Sequence, residues 1–323
     1  MESPFLLFSK GKFRATAHIS MKVALIHNPT AGAAGQPGAR QLCELIKQCG
    51  HEVRYQSSKS KNWAAALREK ADIVAVAGGD GTVGRVLRRM VGHKLPVAIL
   101  PMGTANNFSR SVGLAGTPIE QHIAGWANAR AVKVDAACVS GPWEDTNFVE
   151  GLGVGLFAWV MPKASRDRVL SKMENPRQAV AYAIKLLKKR LRNHPPKRVN
   201  ATLDGKDISG DYLLFEVLNT PFIGPNLYLS PHGHAADGLL DVVMVTEKER
   251  DHFYDCLSKW QKRKLALAEL PTFRGKHVAL QHGDYDLHID DRLFTRSDAR
   301  HATASSLVEM KIMKAALKII VPF

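Results

Sequence analysis

Short apolar runs alternate with amphipathic segments through the first part of the chain. Short apolar runs have the length of strands, whereas apolar positions spaced three or four residues apart indicate helices. The pattern predicts strands at Lys22–His27, Val53–Gln56, Ile73–Ala77 and Val97–Leu100, and helices at residues 38–49, Trp63–Lys70 and Val83–Met90. Strands that alternate with helices are typical of a parallel sheet covered on both faces. We therefore predict an α/β domain over residues 21–132.

The pattern changes near residue 132, where strand-like segments begin to dominate. They are predicted at Val132–Val139, Asn147–Val154, Val199–Leu203, Tyr212–Val217, Leu239–Val245, His277–Leu280, Leu287–Ile289, Glu309–Ile312 and Leu317–Val321. Two predicted helices interrupt them, at about Gln178–Arg192 and Glu247–Leu267. Many short strands with few helices indicate a β-rich, sandwich-like fold. We assign this domain to residues 133–312, with residues 313–323 as a C-terminal strand and residues 1–20 as a flexible extension.

The composition is that of a two-domain globular protein with a basic surface. The chain has 323 residues, of which 45% are hydrophobic, and this is enough for two cores. Its formal net charge of +15 favours an anionic partner: nucleic acid, an acidic membrane surface or a phosphorylated ligand. A basic surface that only faces solvent explains the charge equally well. The sequence has no nucleic-acid-binding motif and no apolar run long enough to cross a bilayer, so neither nucleic acid binding nor a membrane span is expected.

The clearest chemical signal is a glycine cluster between a buried strand and a helix. Ile73–Ala77 runs directly into the sequence GGDGT at residues 78–82. Glycines let backbone N–H groups approach a ligand closely, and a helix N-terminus adds oriented donors and partial positive charge. This arrangement suits a di- or triphosphate. Asp80 would repel phosphate unless it serves a metal ion or a reacting hydroxyl, so it indicates catalysis; the alternative is a local cap of a tight turn.

Two further polar loops follow predicted strands. Residues 28–32 (NPTAG) come after the first strand, and residues 103–108 (GTANNF) come after the fourth. Because ligands of parallel sheets bind at the carboxyl ends of the strands, we expect the three loops to share one site. The sequence contains neither the GxxxxGK[ST] phosphate loop nor a GxGxxG dinucleotide fingerprint after a strand.

These loops, in this order and spacing, resemble the catalytic domain of the diacylglycerol kinase family, which includes sphingosine, ceramide and bacterial lipid kinases. The likeness continues through Phe148–Phe157, Ser230–Val245 and Ala316–Pro322. It implies an α/β nucleotide-binding domain, a β-sandwich-like substrate domain, a cleft between them and a C-terminal strand that returns toward the first domain. It also implies a kinase that uses ATP and Mg²⁺ and transfers the γ-phosphoryl group to a lipid hydroxyl, with diacylglycerol as the first choice.

The resemblance also implies roles for individual residues, carried over by position. The residues expected to line the ATP phosphates are Asn28, Gly79, Asp80, Gly81, Thr82 and Thr104, with Asn106 supporting that site. Asp80 is the candidate general base on the lipid hydroxyl, or a magnesium partner. Asp135 matches an acid near the substrate, and Asp237 matches an acidic loop linked in relatives to a structural magnesium ion.

One segment differs from the family pattern. Relatives usually carry Asp-Gly-Glu where this chain has Asp290-Asp291-Arg292, so arginine replaces a glutamate that acts at the nucleotide site or as the base. Either Asp290 or Asp291 substitutes as the catalytic acid, or Asp80 carries the chemistry alone, or activity is weak or lost. Arg292 itself suits contact with a phosphate.

Two other functions compete with a lipid kinase. An NAD kinase would share the GGDGT loop and a β-rich second domain, and the altered residues 290–292 are compatible with a catalytically silent lipid- or nucleotide-binding regulator. The basic helices near residues 183–198 and 247–267 predict contact with an anionic membrane, or else packed helices with solvated basic faces. We expect a cytoplasmic protein at the inner face of the membrane. The pattern specifies neither the acceptor lipid nor an oligomeric state.

Overall fold

A computed structural model describes residues 20–32, 36–68, 70–262, 269–281, 283, 285–295 and 307–322. Its first part contains β1 (Lys22–His27), α1 (Ala39–Gln48), β2 (Glu52–Ser57), β3 (Ile73–Gly78), α2 (Asp80–Met90), β4 (Val97–Pro101), α3 (Asn107–Ser111) and α4 (Ile119–Gly125). Two 3₁₀ helices, Trp63–Arg68 and Trp126–Asn128, belong to the same part. Strands β2, β1, β3 and β4 lie side by side in that order and run parallel.

The second part is mostly strands. They are β5 (Arg130–Ser140), β6 (Thr146–Phe148), β7 (Gly151–Gly155), β8 (Lys197–Leu203), β9 (Lys206–Asp207), β10 (Gly210–Tyr212), β11 (Leu214–Leu218), β12 (Phe222–Ile223), β13 (Leu227–Tyr228), β14 (Leu240–Val245), β15 (Thr272–Gly275), β16 (His277–Gln281), β17 (Leu287–Ile289), β18 (Arg292–Phe294) and β19 (Leu307–Val321). The helices are α5 (Leu156–Ser165), α6 (Pro176–Leu191) and α7 (Arg250–Gln261), with 3₁₀ helices at Leu170–Lys172 and Glu247–Glu249.

Strand β19 joins the two parts. It pairs with β16 and β5 in antiparallel fashion, and near its end Ile319 and Ile320 lie beside Val97 and Ala98 of the parallel β4. A second sheet has the order β15-β14-β11-β7-β17-β18 and is antiparallel throughout. The predicted fold class is therefore confirmed: an N-terminal parallel-sheet α/β domain is followed by a C-terminal domain of antiparallel sheets.

The cores follow from the alternation of side chains along the strands. Ile26 and Leu25 are neighbours in β1 but belong to the clusters on opposite faces of the parallel sheet, which explains why that strand is apolar on both sides. In the second part, Leu152 lies in the cluster between the two sheets. The far face of the second sheet packs against α5, α6 and α7 through residues such as Phe157 and Leu187.

Several predicted elements differ from the observed ones. The single strand predicted at Asn147–Val154 is two strands, β6 and β7, separated by a turn at Val149 and Glu150. No element was predicted for α5, because its residues are apolar without the periodicity of an amphipathic helix and four of them are buried. The helix predicted at Glu247–Leu267 begins as a 3₁₀ turn and α7 ends at Gln261, while residues 263–268 lie outside the described part.

The predicted domain limits fall inside strands. Residue 132 lies within β5, and residue 313 lies within β19 at the irregularity between Met313 and Leu317. The predicted extension, residues 1–20, lies outside the described part except for its last residue. Within the described ranges, no helix is both long and apolar enough to cross a bilayer.

Candidate active site

The three polar loops of the first part meet at one cleft at the carboxyl ends of β1, β3 and β4. The cleft has a volume of about 990 Å³. Its walls include Asn28, Gly79, Asp80, Gly81, Thr82 and Thr104 from these loops, and Ser171, Lys172, Met173, Glu174, Pro176 and Asp291 from the second part. Six of the seven residues expected around the ATP phosphates therefore line a common space, and the seventh, Asn106, does not line it.

The glycines let two of the loops pack directly against each other. A Cβ on Gly79 would lie 3.0 Å from the Cα of Gly103, closer than such contacts normally come. Helix α2 begins immediately after Gly79, and the N–H groups of Thr82 and Val83 bond to the Gly79 carbonyl at 2.9 Å. The N–H groups of Asp80 and Gly81 come before these bonds and have no carbonyl partner within the helix. These donors and the helix dipole make the Gly79 end of α2 a favourable place for an anion.

Asn28 and Asn106 shape the loops through their side chains. Asn28 Nδ2 donates to Thr82 Oγ1 (3.1 Å), while its Oδ1 accepts from the backbone N–H of Thr30 (3.2 Å). Asn106 has a left-handed backbone (φ 54°), and its amide bonds to Gly103 N–H and C=O, both at 2.8 Å. Asn28 thus ties the first loop to α2, and Asn106 closes the turn that presents Thr104.

Asp80 is a half-buried carboxylate on the first turn of α2. Burial raises its pKa to about 6, although hydrogen bonds from the backbone N–H groups of Asn106, Asn107 and Phe108 act in the opposite direction. The carboxylate therefore bridges the GGDGT loop and the start of α3. An acid with a pKa near neutrality, placed at the wall of a cleft, is suited to accept a proton.

Asp290 and Asp291 are adjacent but have different surroundings. The carboxylate of Asp290 is buried and accepts the backbone N–H groups of Val149, Glu150 and Gly151 at 2.9–3.2 Å. It also pairs with Arg88 of α2 at 2.7 Å. The Asp290 carboxylate thus links α2 in the first part of the chain to the turn between β6 and β7 in the second part.

Asp291 reaches the cleft. A Cβ on Gly81 would lie 2.8 Å from Asp291 Oδ2, so this carboxylate packs directly over the glycine. Arg88 holds its other oxygen at 3.1 Å. Asp80 and Asp291 are the two candidate acids that line the cleft, and such carboxylates suit Mg²⁺, which usually combines one or two of them with phosphate oxygens.

Glu150 is an acid that the sequence analysis did not single out. Its side chain is buried between β6 and β7, and its pKa is raised well above the ordinary value by burial and then by the charges of Asp80 and Asp290. Asn107 hydrogen-bonds it. The sequence does contain one indication that Glu150 is important: it is the one charged residue in the apolar, glycine-rich segment Phe148–Phe157.

Asp135 and Asp237 lie away from the cleft. Asp135 is buried, and its two carboxylate oxygens accept the backbone N–H groups of Gly238 and Ala315, both at 2.7 Å. Asp237 pairs with Arg274, which also binds Asp241 at 2.8 Å. One cation, Arg274, thus already pairs with both carboxylates, and the described residues contain no group of three or more acidic, histidine or cysteine side chains placed to hold a metal ion.

Arg292 is exposed and stacks on the ring of Phe294, 4.7 Å from its centroid. It is not among the residues that line the cleft.

The basic helices present cations rather than apolar residues. Ile184, Leu187 and Leu191 of α6 are buried in the core under the second sheet. At the surface, the Trp159 ring lies between Lys163 Nζ (3.2 Å) and the guanidinium of Arg190 (3.7 Å). The predicted apolar face of α6 is therefore buried in the core, and the surface of the helix that a partner can reach is basic.

Comparison with known proteins agrees with this architecture. Residues 22–139 match the diacylglycerol kinase catalytic domain, and residues 162–321 match the YegS C-terminal NAD kinase beta sandwich-like domain. The diacylglycerol kinase of Bacillus subtilis is 26% identical over 270 residues, covering 81% of this chain and 82% of that protein.

Solved structures show the same fold. The crystal structure of a diacylglycerol kinase from Bacillus anthracis superposes with a TM-score of 0.67 at 19% identity, covering 93% of this chain and 96% of the other. Yeast NADH kinase superposes with a TM-score of 0.52 at 10% identity, covering 94% and 84%. The two domain matches together span most of the chain, in the order in which the structure shows the domains. The chain belongs to the diacylglycerol kinase catalytic-domain family of lipid kinases.

Proposed function

We propose that this protein is an ATP-dependent kinase that transfers the γ-phosphoryl group to the hydroxyl of a membrane lipid, with diacylglycerol as the acceptor. The observation that carries the proposal is the convergence of three loops, from β1, β3 and β4, with Asp80 at a single cleft. The family supports a lipid kinase, while the acceptor is our inference from the related diacylglycerol kinases.

The nucleotide phosphates bind at the glycine end of α2. The N-terminal end of the helix and the side chains of Asn28, Thr82 and Thr104 face this end of the cleft. Asp291 offers carboxylate oxygens for Mg²⁺, which would neutralise phosphate charge. Positioning and charge neutralisation supply most of the catalysis in phosphoryl transfer.

Asp80 acts as the general base. The lipid hydroxyl gives its proton to the Asp80 carboxylate as its oxygen bonds to the γ-phosphorus. The bond from that phosphorus to the β–γ bridging oxygen breaks, and ADP leaves with the electron pair. The raised pKa of Asp80 brings its proton affinity closer to that of a working base near neutral pH.

The lipid reaches the cleft from a membrane surface. Lys163 of α5 and the five cations of α6 give this side of the second part a basic exterior, and the formal net charge of the chain is +15. Such a surface is attracted to anionic lipid and loses that attraction as salt screens it. We place the protein at the cytoplasmic face of the membrane.

The experiment is transfer of ³²P from labelled ATP to a panel of acceptors in mixed micelles: diacylglycerol, sphingosine, ceramide, phosphatidylglycerol and, in solution, NAD. Phosphorylation of diacylglycerol supports the proposal. Labelled NADP would favour the NAD kinase alternative suggested by the fold likeness to yeast NADH kinase. No labelled product with any acceptor, in spite of ATP binding, would favour a silent regulator.

A further inference from the structure

A buried histidine–glutamate pair lies in the second sheet behind the cleft. Glu216 is fully buried and His288 is 1% exposed. The Nε2 atom of His288 lies 3.0 and 3.1 Å from the two carboxylate oxygens of Glu216. Burial of a charged pair costs free energy of hydration, and the loss of either partner leaves the other charge uncompensated. The mechanism proposed above does not use this pair.

The two residues belong to strands that are not neighbours. Glu216 is in β11 and His288 is in β17, and β7 runs between them with Gly153 opposite both residues. Two strand spacings separate β11 from β17, or about 9–10 Å. The glutamate side chain must therefore cross β7 to meet the imidazole.

Gly153 makes this crossing feasible. A Cβ at position 153 would lie well inside van der Waals contact distance of the Glu216 carboxylate, which occupies the space above the glycine. The backbone of Gly153 does not have a positive φ, so conformation alone does not require glycine there. What requires glycine is the carboxylate that passes over it.

The other ring nitrogen of His288, Nδ1, points to the turn formed by Asp290 and Asp291. His288 Nδ1 lies 3.2 Å from the backbone carbonyl of Asp290, a residue held in a left-handed conformation with φ 48°. A carbonyl oxygen accepts only, so Nδ1 carries a proton and donates it. Since Nε2 faces a carboxylate, the pair retains one further proton between them. Burial lowers the pKa of His288, but the hydrogen bonds and negative charges around it, above all those of Glu216, outweigh burial, so the pKa is raised.

This turn holds the carboxylates described above. The Asp290 side chain accepts from the backbone N–H groups of Val149, Glu150 and Gly151 and pairs with Arg88. Asp291 follows directly and reaches over Gly81 into the cleft. The Glu216–His288 pair thus holds the backbone of the turn through the Asp290 carbonyl, while Arg88 holds the carboxylates of Asp290 and Asp291.

We propose that Glu216 and His288 are positioning residues that hold the Asp290–Asp291 turn in its left-handed conformation and thereby set the place of the Asp291 carboxylate at the nucleotide cleft. The inference rests on the proposed function, because it assigns Asp291 to the MgATP site. Neither residue is among those that line the cleft.

The sharpest probe is Gly153→Ala, which displaces the Glu216 carboxylate without removing a titratable group. Gly38→Ala is the matched control, because a Cβ there meets nothing within 4 Å. We expect the Kd for MgATP and the Mg²⁺ concentration for half-maximal activity each to rise about tenfold in Gly153→Ala and to stay unchanged in Gly38→Ala. Added Mg²⁺ should restore part of the activity.

Glu216→Gln is the second variant, in case Gly153→Ala does not fold. It keeps the shape of the side chain and removes the charge, so we expect a smaller shift in the same direction. Folded variants whose MgATP affinity and Mg²⁺ requirement match the Gly38→Ala control would overturn the proposal, even if they melt earlier, because the pair would then serve stability alone. Failure of the wild-type protein to phosphorylate any lipid would refute the proposed function instead, while MgATP binding would still test the pair.

Discussion

The acids of this protein fall into two groups that look alike in the sequence and differ in their contacts. Asp80 and Asp291 line the cleft. Asp135 and Asp290 are buried among backbone N–H groups, and Asp237 is bound by Arg274. Asp80 also accepts backbone N–H groups from the start of α3, so what separates the two groups is access to the cleft. A carboxylate enclosed by the protein holds a turn in place, whereas one that faces the cleft is available to a substrate or a metal ion.

The largest expected effect is the loss of activity on Asp80→Asn. The amide cannot accept the proton of the lipid hydroxyl, so we expect kcat to fall at least about a hundredfold with the protein still folded. Asp211→Asn is the matched control, because that side chain is 62% exposed. Full lipid-kinase activity in Asp80→Asn, measured by ³²P transfer, would remove Asp80 from the mechanism.

Asp290→Asn should lower the stability of the folded protein, whereas Asp80→Asn should mainly lower its activity. The substitution breaks the buried pair with Arg88 and weakens the acceptor for the N–H groups of the β6–β7 turn, at a cost of about 3 kcal/mol in the free energy of unfolding. Urea unfolding compared with Asp211→Asn measures this cost. A change below about 0.5 kcal/mol would show that Asp290 does not connect the two parts of the chain as described.

The pH dependence should separate the two groups further. Because the pKa of Asp80 is raised to about 6, kcat/KM should fall about tenfold per pH unit below pH 6. The same shift stabilises the folded protein below the unfolded pKa, near 4, and that contribution is lost as the pH rises through about 6. The melting temperature of Asp80→Asn should therefore exceed that of the wild type at pH 8 more than at pH 5. An activity profile that is flat between pH 5 and 8 would argue against this assignment.

The smallest expected effect concerns metal removal. Since Arg274 already pairs with both Asp237 and Asp241, EDTA should leave the melting temperature of the wild-type protein unchanged. Arg274→Met removes that cation, so its melting temperature should be lower and should rise when Mg²⁺ is added. A clear drop for the wild type in EDTA would instead indicate a structural ion at this loop, as the family resemblance implied.

Much of the fold could be predicted because its signals are local. The apolar strands β1, β3 and β4 and the glycine loop after β3 are each encoded within a few neighbouring residues. Parallel-sheet geometry then brings the loops to one edge, which is how Asn28, Thr82 and Thr104 could be grouped before their contacts were known.

The rest depends on contacts between distant parts of the chain. Arg88 meets Asp290 across 202 positions, and Glu216 meets His288 across 72. No periodicity or spacing in the sequence marks such pairs. The ion pair of Asp290, the burial of Glu150 and the contact of Glu216 with His288 across Gly153 were therefore not predictable. The same holds for Asp135, whose partners Gly238 and Ala315 come from two separate segments.

A crystal structure of the protein with Mg²⁺ and a non-hydrolysable ATP analogue tests the central claim most directly. We expect the β- and γ-phosphates within hydrogen-bonding distance of the N–H groups at the start of α2, with Thr82 and Thr104 beside them and the Asp80 carboxylate facing the γ-phosphate. A nucleotide bound elsewhere, or one whose phosphates point away from residues 79–82, would contradict the account.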